Sequence, residues 1–243
     1  MKHKTVRLLS ALCVFALALS LVSVCAFADE VTEETAQEAA LREIETLKKM
    51  GILSEKVHLE GDADDIYDSP KRAGDDYWFG RVFPHRYEVR WFITEDLEKN
   101  SSYGGNICVD AETGRLSHFS IDVTPSADAE PVRESEWDGK TFYYYDNFED
   151  IFPPDMTVDR FCTLLAEYWG FDGYTVSDTD DELYGKFEAV SGDTLLTELP
   201  SENANYYLTV FFDGDQEGVP MYVQLCQFAG YVSLFVGTGH TVG

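Results

Sequence analysis

Residues 106–122 read Asn-Ile-Cys-Val-Asp-Ala-Glu-Thr-Gly-Arg-Leu-Ser-His-Phe-Ser-Ile-Asp, and this stretch near the middle of the chain decides the fold. Strand-forming apolar residues stand on both sides of a short polar segment, which is typical of two strands joined by a turn. Asp110 can accept hydrogen bonds from backbone N–H groups two or three residues further on. Gly114 suits the left-handed position that closes a short hairpin loop. We therefore predict a hairpin in which Asp110, Thr113 and Gly114 have a structural role in the turn and no ligand role.

The N-terminus has the pattern of a secretory signal peptide. Three basic residues precede an almost unbroken apolar run, Ala26 and Ala28 are small residues at the two positions that a signal peptidase recognises, and acidic sequence begins at Asp29. The alternative is a membrane anchor, since residues 8–28 are long enough to span a bilayer. The small residues and the abrupt polar switch favour cleavage. We expect residues 1–28 to be a bacterial-type Sec signal, and the mature chain to be secreted or held at the cell envelope, without a membrane segment.

The composition predicts an acidic, folded protein. The 243-residue chain has 45 acidic residues against 18 Lys and Arg, a formal net charge of −27, which becomes −30 once a signal with three basic and no acidic residues is removed. At 44% hydrophobic and 14% aromatic residues it is too apolar for a disordered acidic tail. An acidic surface repels nucleic acid and attracts cations and basic proteins. We therefore expect a protein or peptide partner and no nucleic acid.

A helix and further strands are predicted before the hairpin. Thr35 and Glu38 form a capping-box pattern, apolar residues then recur at the helical period, and Gly51 stands where a helix ends. Residues 86–94 alternate between apolar and polar, as a half-buried strand does. The acidic stretch 59–76 is predicted as a solvated loop, with calcium binding by its clustered carboxylates as the alternative.

This order of elements resembles the PepSY domain. In that family a helix and an extended strand precede a strand that ends in an apolar-Val-Asp-x-x-Thr-Gly turn, and a further strand follows. The matching positions are Val109, Asp110, Thr113 and Gly114, and the resemblance covers residues 35–123. It implies an exported, non-enzymatic module of the kind found in peptidase propeptides and cell-envelope proteins. It also implies a secreted peptidase as the partner, inhibited or regulated by the module.

The second half of the chain gives the same order again. Residues 125–140 are rich in Pro, Ser and Glu and are predicted as a linker. A second helix is predicted between an N-cap at Thr157 and a terminating glycine at Gly170, and alternating strands follow. We therefore predict an α+β protein of two units, 29–124 and 141–243, each with a helix packed on an antiparallel β-sheet.

No named catalytic or metal-binding pattern is present. The four histidines beyond the signal lie in no HExxH sequence, no serine lies in GxSxG, and no Cys/His spacing for zinc occurs. Residues 213–218 resemble the start of a calcium loop but are predicted as a hairpin turn. We therefore predict a non-enzymatic protein with no catalytic residue, no cofactor and no metal ligand. Two alternatives stay open: a calcium-assisted envelope or glycan-binding protein, suggested by the acidic loops and the tyrosines at 143–145, and a hydrolase whose residues meet only in the fold.

Three cysteines remain after signal cleavage, namely Cys108, Cys162 and Cys226. An odd number allows at most one disulfide within the chain and leaves at least one thiol. Each cysteine stands in an apolar strand or helix pattern, where unreactive buried cysteines are found. Cys162 and Cys226 are the pair that could join a helix to the sheet.

Overall fold

The computed structural model describes residues 30–59, 61–73, 82–93, 103–177, 180–181, 185–186, 191–198, 205–213 and 221–238. Two α-helices lie within these ranges, α1 (Glu33–Lys49) and α2 (Val158–Trp169), together with short 3-10 turns at Phe148–Asp150 and Leu196–Glu198. Neither α-helix of this described part has the length and apolar character that crossing a membrane needs. Ala26, Ala28 and Asp29, the residues of the predicted signal cleavage site, lie outside the described residues.

The rest of the regular structure is β-strand, and the prediction of an α+β protein with antiparallel sheets is confirmed. The strands in the described ranges are β1 (Asp65–Ser69), β2 (Arg72–Ala73), β3 (Val82–Phe83), β4 (Arg86–Trp91), β5 (Tyr103–Asp110), β6 (Leu116–Val123), β7 (Arg133–Trp137), β8 (Lys140–Tyr144), β9 (Gly173–Ser177), β10 (Asp180–Asp181), β11 (Gly185–Lys186), β12 (Asn205–Asp213), β13 (Met221–Phe228) and β14 (Tyr231–Thr238).

Eight of these strands form one antiparallel sheet in the order β1-β4-β5-β6-β14-β13-β12-β9. The predicted hairpin supplies β5 and β6. The sequence suggested a separate sheet in each half, but β6 and β14 pair with each other at the centre, with Val123 opposite Val232 and Phe119 opposite Val236. Because the last strand of each half would otherwise be an unpaired edge, this pairing joins both halves into one sheet.

Both helices pack on the same face of this sheet. The apolar side chains of α1 and α2 and alternate residues of the strands form a single buried cluster. This alternation follows from the period of two in a strand, which points every second side chain to one face. The cluster includes Ile44 and Leu47 of α1, Phe161 and Leu165 of α2, and Val89, Ile107, Phe119 and Leu234 of the sheet.

The ends of the helices follow the expected chemistry with one correction. The prediction of Thr35 as the first cap was wrong, because α1 begins one turn earlier with Thr32 as its N-cap. The Thr35 hydroxyl instead accepts the backbone N–H of Thr32 at 3.0 Å, as the third residue of a capping box does. Gly51 follows the helix with φ of +73°. Thr157 caps α2, and Gly170 ends it in the left-handed conformation, as predicted.

β1 and β7 lie in segments for which the sequence predicted no strand. β1 lies within the acidic stretch 59–76 and pairs with β4 along its whole length. The sequence pattern did not indicate β1 because an edge strand needs few apolar side chains, and the charged residues of β1 interrupt the apolar alternation by which a strand is predicted. β7 lies within residues 125–140, the predicted linker, and forms a two-stranded ribbon with β8. The ribbon is tied to the main sheet by the N–H of Gly230, which donates to the carbonyl of Tyr143 at 2.9 Å.

Candidate functional site

The face of the sheet opposite α1 and α2 carries the polar side chains of the strands. We call it the open face. Because side chains alternate along a strand, the neighbours of the core residues point to it. The described side chains at its centre are Glu88 and Arg90 of β4, Asn106 and Cys108 of β5, His118, Ser120 and Asp122 of β6, Gln224 and Cys226 of β13, and Ser233 and Phe235 of β14.

A carboxylate, a thiol and an imidazole lie side by side on this face. Cys108 is directly opposite Glu88 of β4 on one side and directly opposite His118 of β6 on the other. One donor atom from each of the three residues lies within 4.8 Å of the other two. Among the described residues, this is the group of His, Cys, Asp or Glu side chains that approaches closely enough to hold one ion. We refer to these three residues as the Glu88–Cys108–His118 trio.

A β-bulge creates this arrangement. Val109 pairs with Leu116 and Cys108 with His118, so that Ser117 is an extra residue on β6. If the pairing of Val109 with Leu116 continued from the turn without a bulge, Cys108 would lie opposite Ser117. The extra residue instead places the imidazole of His118 opposite the thiol of Cys108. The Ser117 hydroxyl donates to the carbonyl of Cys108 and lies 3.3 Å from Nδ1 of His118. Ser117, the extra residue of the bulge, therefore contacts both Cys108 and His118, the two residues that the bulge brings together.

Two arginines surround the carboxylate of the trio. Arg90 donates from Nη2 to Oε2 of Glu88 at 2.8 Å, and Nη2 of Arg86 lies 3.6 Å from Oε1. Burial, with a further contribution from the Arg86 charge, lowers the pKa of His118 to about 4. Burial raises the pKa of the Cys108 thiol well above its ordinary value. At neutral pH the imidazole is therefore neutral and the thiol protonated.

A groove of about 290 Å³ lies beside His118 on the open face. Within it, Gln224 donates from Nε2 to Sγ of Cys226 at 2.8 Å. The Oδ1 atom of Asn106 is buried and has no hydrogen-bond partner among the described atoms. The groove is thus a polar hollow with an unused acceptor. Its lining residues are Asn106, His118, Ser120, Gln224, Cys226, Phe228, Ser233 and Phe235.

Glycine at position 237 makes room for the rings on one side of the groove. A Cβ atom there would lie 2.8 Å from Cβ of His118 and 2.7 Å from the ring of Phe235. Both distances are shorter than carbon atoms tolerate, so any side chain at Gly237 would displace the imidazole or the phenyl ring. The lack of a side chain at position 237 therefore leaves the space that His118 needs for its place in the trio.

Exposed aromatic side chains spread outward from the groove across the open face. One comes from β1, one directly follows β4, and the others come from β12 and β13. The most exposed of them is Phe92, at 61%. Large exposed apolar groups on one face are typical of a surface that contacts another molecule. These residues are Tyr67, Phe92, Phe211 and Phe228.

The turn residues predicted from the sequence lie together at the end of the β5–β6 hairpin. The Oδ1 atom of Asp110 accepts the N–H of Glu112 at 3.1 Å, and both the N–H and the hydroxyl of Thr113 at 2.7 and 2.8 Å. Gly114 has φ of +66°. The Asp110 carboxylate is therefore used by the turn, and Asp110 does not line the groove.

Two described carboxylates of the acidic stretch 59–76 make contacts within the fold. Asp64 accepts the backbone N–H of Phe92 at 2.7 Å, and Asp68 lies 2.7 Å from Nε2 of His85. The other two acidic segments, at 178–182 and 213–218, fall largely outside the described residues. Of the tyrosines at 143–145, Tyr143 and Tyr144 belong to β8, where the ring of Tyr144 packs against the guanidinium of Arg133 at 3.9 Å.

Cys108, Cys162 and Cys226, the cysteines in the described part of the chain, are unpaired and buried. The pairing of Cys162 with Cys226 does not form, because the two residues lie on opposite sides of the sheet. Cys162 belongs to α2 and to the core cluster, whereas Cys226 lines the groove on the open face. Burial raises the pKa of the Cys226 thiol to about 11 and that of Cys162 to about 12.

Sequence analysis found no site at Glu88, Cys108 and His118, since their separation along the chain matches no metal or catalytic motif. One signal was present. Strict alternation would put apolar residues two apart, but Leu116 and Phe119 are three apart, which indicates a bulge between them. With that register, Cys108 and His118 become direct neighbours across the hairpin.

The chain matches no protein-family model, and comparisons with curated proteins and with solved structures found no match either. The exposed aromatic side chains, the groove and the trio on the open face are therefore the features that indicate a function.

Proposed function

We propose that the chain is an exported binding module without catalytic activity, and that it holds a basic polypeptide on the open face of its sheet. The PepSY resemblance specifies that partner further as a secreted peptidase that the module inhibits or regulates. The observation that carries the proposal is the arrangement of Tyr67, Phe92, Phe211 and Phe228, aromatic side chains left exposed on one face while both helices cover the other.

The chemistry of this face suits a polypeptide. Aromatic residues supply most of the binding energy in many protein interfaces. The groove adds polar groups, such as the Ser120 and Ser233 hydroxyls, that fit backbone amides. The net charge of −27 favours a cationic partner and speeds its association.

Two units, 29–124 and 141–243, are part of the proposal. What supports them is the repeated order of elements: α1-β1-β4-β5-β6 in the first half and α2-β9-β12-β13-β14 in the second. In each half the order of these strands across the sheet follows their order along the chain, and the last strands meet at the centre. Such an arrangement is expected of a duplicated unit whose copies share one sheet.

A thiol hydrolase is the second candidate, because Cys108, His118 and Glu88 come together in the fold. A catalytic cysteine needs an accessible thiol with a lowered pKa. Cys108 is 0% exposed, and burial raises its pKa. These properties favour the binding module over the hydrolase.

The proposal is tested with the mature chain, residues 29–243, and a panel of secreted peptidases of the host. Affinity for at least one basic peptidase and inhibition of its activity are expected. Phe228→Ala, on the open face beside the groove, is expected to weaken binding by about tenfold or more. Trp137→Ala is the matched control, since Trp137 is 75% exposed but lies on the β7–β8 ribbon. Absence of binding and inhibition across the panel, or equal losses in both variants, would overturn the proposal.

A further inference from the structure

We propose that the Glu88–Cys108–His118 trio is a binding site for a single thiophilic d10 cation, of the type of Zn²⁺ or Cu⁺. This inference does not depend on the partner proposed above, because it concerns only side chains of this chain. Three arguments support it: the donor set, the support around each donor, and the charge of the surroundings.

The donor set is that of a thiophilic metal. Thiolate and imidazole are the ligands that Zn²⁺ and Cu⁺ prefer, and a carboxylate oxygen completes many zinc sites. Cys108 stands between Glu88 and His118 on three adjacent strands, and the three donor atoms lie within 4.8 Å of one another. Rotation of the side chains alone can bring the atoms to bonding distance, because the strands already place them on one side of the sheet.

Each outer ligand has a neighbour that holds it. Arg90 binds Oε2 of Glu88 at 2.8 Å, and Nη2 of Arg86 lies 3.6 Å from Oε1, so that both arginines orient the carboxylate. The Ser117 hydroxyl lies 3.3 Å from Nδ1 of His118, and Gly237 gives the imidazole its space. Contacts of this kind orient metal ligands in known sites. The groove beside His118 gives room for a further ligand, such as water, next to the imidazole.

The charge of the surroundings selects the kind of ion. Arg86 and Arg90 both face Glu88 and already neutralise its carboxylate. A hard cation such as Ca²⁺ or Mg²⁺, which binds through charge and oxygen ligands, gains little there. A thiophilic ion gains from its bond to sulfur instead. On binding, the S–H bond of Cys108 breaks, a sulfur–metal bond forms and the proton passes to solvent.

The test uses the reduced, metal-free mature chain, titrated separately with Zn²⁺, Cu⁺ and Ca²⁺. One equivalent of Zn²⁺ or Cu⁺ is expected to bind and to raise the melting temperature, while Ca²⁺ gives no such binding. Cys108→Ser and His118→Gln are each expected to lower the affinity by about tenfold or more. Cys162→Ser is the matched control, because Cys162 lies in the core on the other side of the sheet. It keeps Cys108 and is expected to bind as the unaltered chain does.

A spectroscopic measurement keeps the test valid if a variant folds poorly. Co²⁺ in place of Zn²⁺ gives an intense sulfur-to-cobalt charge-transfer band only when a thiolate is a ligand. The unaltered chain is expected to show this band. Glu88→Gln, which preserves the shape of the side chain, is expected to keep the band and to lower the affinity. Absence of stoichiometric binding by both Zn²⁺ and Cu⁺, or equal binding by the unaltered chain, Cys108→Ser and His118→Gln, would overturn the proposal.

Discussion

Tyr168 of α2 donates its phenolic O–H to the carboxylate of Glu43 on α1, with 2.5 Å between the oxygens. The same phenolic oxygen accepts the backbone N–H of Leu116 at 3.1 Å, at the start of a central strand. Both side chains are buried, and burial raises the pKa of the Tyr168 hydroxyl. One hydroxyl therefore connects the two helices with the sheet beneath them.

Replacing Tyr168 by phenylalanine should destabilise the whole fold. The ring stays, but the buried Glu43 carboxylate loses its donor and the N–H of Leu116 its acceptor. A buried polar group without a partner costs about 1–3 kcal/mol, and we expect the free energy of unfolding in urea to fall by about that amount. Tyr143→Phe, which removes an exposed hydroxyl on β8, is the control and should change it by less than about 0.5 kcal/mol. Equal unfolding curves for both variants would contradict this prediction.

The β5–β6 turn should be sensitive to a methyl group at Gly114. The residue has φ of +66°, and an added Cβ would lie 3.0 Å from Nη2 of Arg42 and 3.3 Å from Val31. Left-handed backbone costs a residue with a side chain about 1–2 kcal/mol, and crowding adds to it. Gly139→Ala separates the two effects, since Gly139 has φ of +72° with nothing within 4 Å. Gly114→Ala should lower the melting temperature more; an equal or smaller effect would show that Arg42 and Val31 adjust freely.

The periodic elements of this fold could be predicted because each has a local signal. Gly51, Thr157 and Gly170 mark helix ends by backbone geometry, and the alternation after residue 86 marks β4. The pairing of β6 with β14 could not be predicted, since it joins residues about a hundred positions apart. β1 was missed because its charged residues are paired across the edge of the sheet, where the apolar pattern is weak.

The candidate site was harder to predict than the fold, for a specific reason. Metal and catalytic motifs are recognised by spacing along the chain, whereas Glu88, Cys108 and His118 are brought together by strand register. A single extra residue, Ser117, decides whether the imidazole or a hydroxyl faces the thiol. Hydrophobic spacing indicates where such a bulge lies, but no local pattern in the sequence sets the register between β4 and β5.

Asp122 on the open face should make the protein less stable at neutral pH than at low pH. Burial raises the pKa of its carboxyl group, and the hydrogen bond from Ser233 offsets part of this. Since the folded pKa lies above the unfolded one, the protonated carboxyl group favours folding at low pH. This contribution is lost as the pH rises from the ordinary pKa of an aspartate through the raised value.

Asp122→Asn should therefore stabilise the chain at pH 7, and its advantage should shrink as the pH falls below the ordinary pKa of an aspartate. Urea unfolding at neutral and acidic pH measures this, and the amide oxygen still serves as an acceptor for Ser233. Asp128→Asn is a control for which the opposite change in stability at pH 7 is expected, because a hydrogen bond from Ser126 lowers the pKa of the exposed Asp128 carboxyl group. A loss of stability in Asp122→Asn at pH 7 would show that the ionised carboxylate is favoured in the fold.

The three cysteines of the described residues should be present as thiols that do not react while the protein is folded. Cys108, Cys162 and Cys226 are buried and unpaired, and burial raises the pKa of each. Because the thiolate is the reactive form, an aromatic disulfide reagent at pH 8 should label the native chain slowly. In denaturant and without reductant it should label all three residues. Cys226, which is 3% exposed and lines the groove, should react first in the native protein, and Cys226→Ser should remove that fastest phase. A single labelled thiol in denaturant would instead reveal a disulfide.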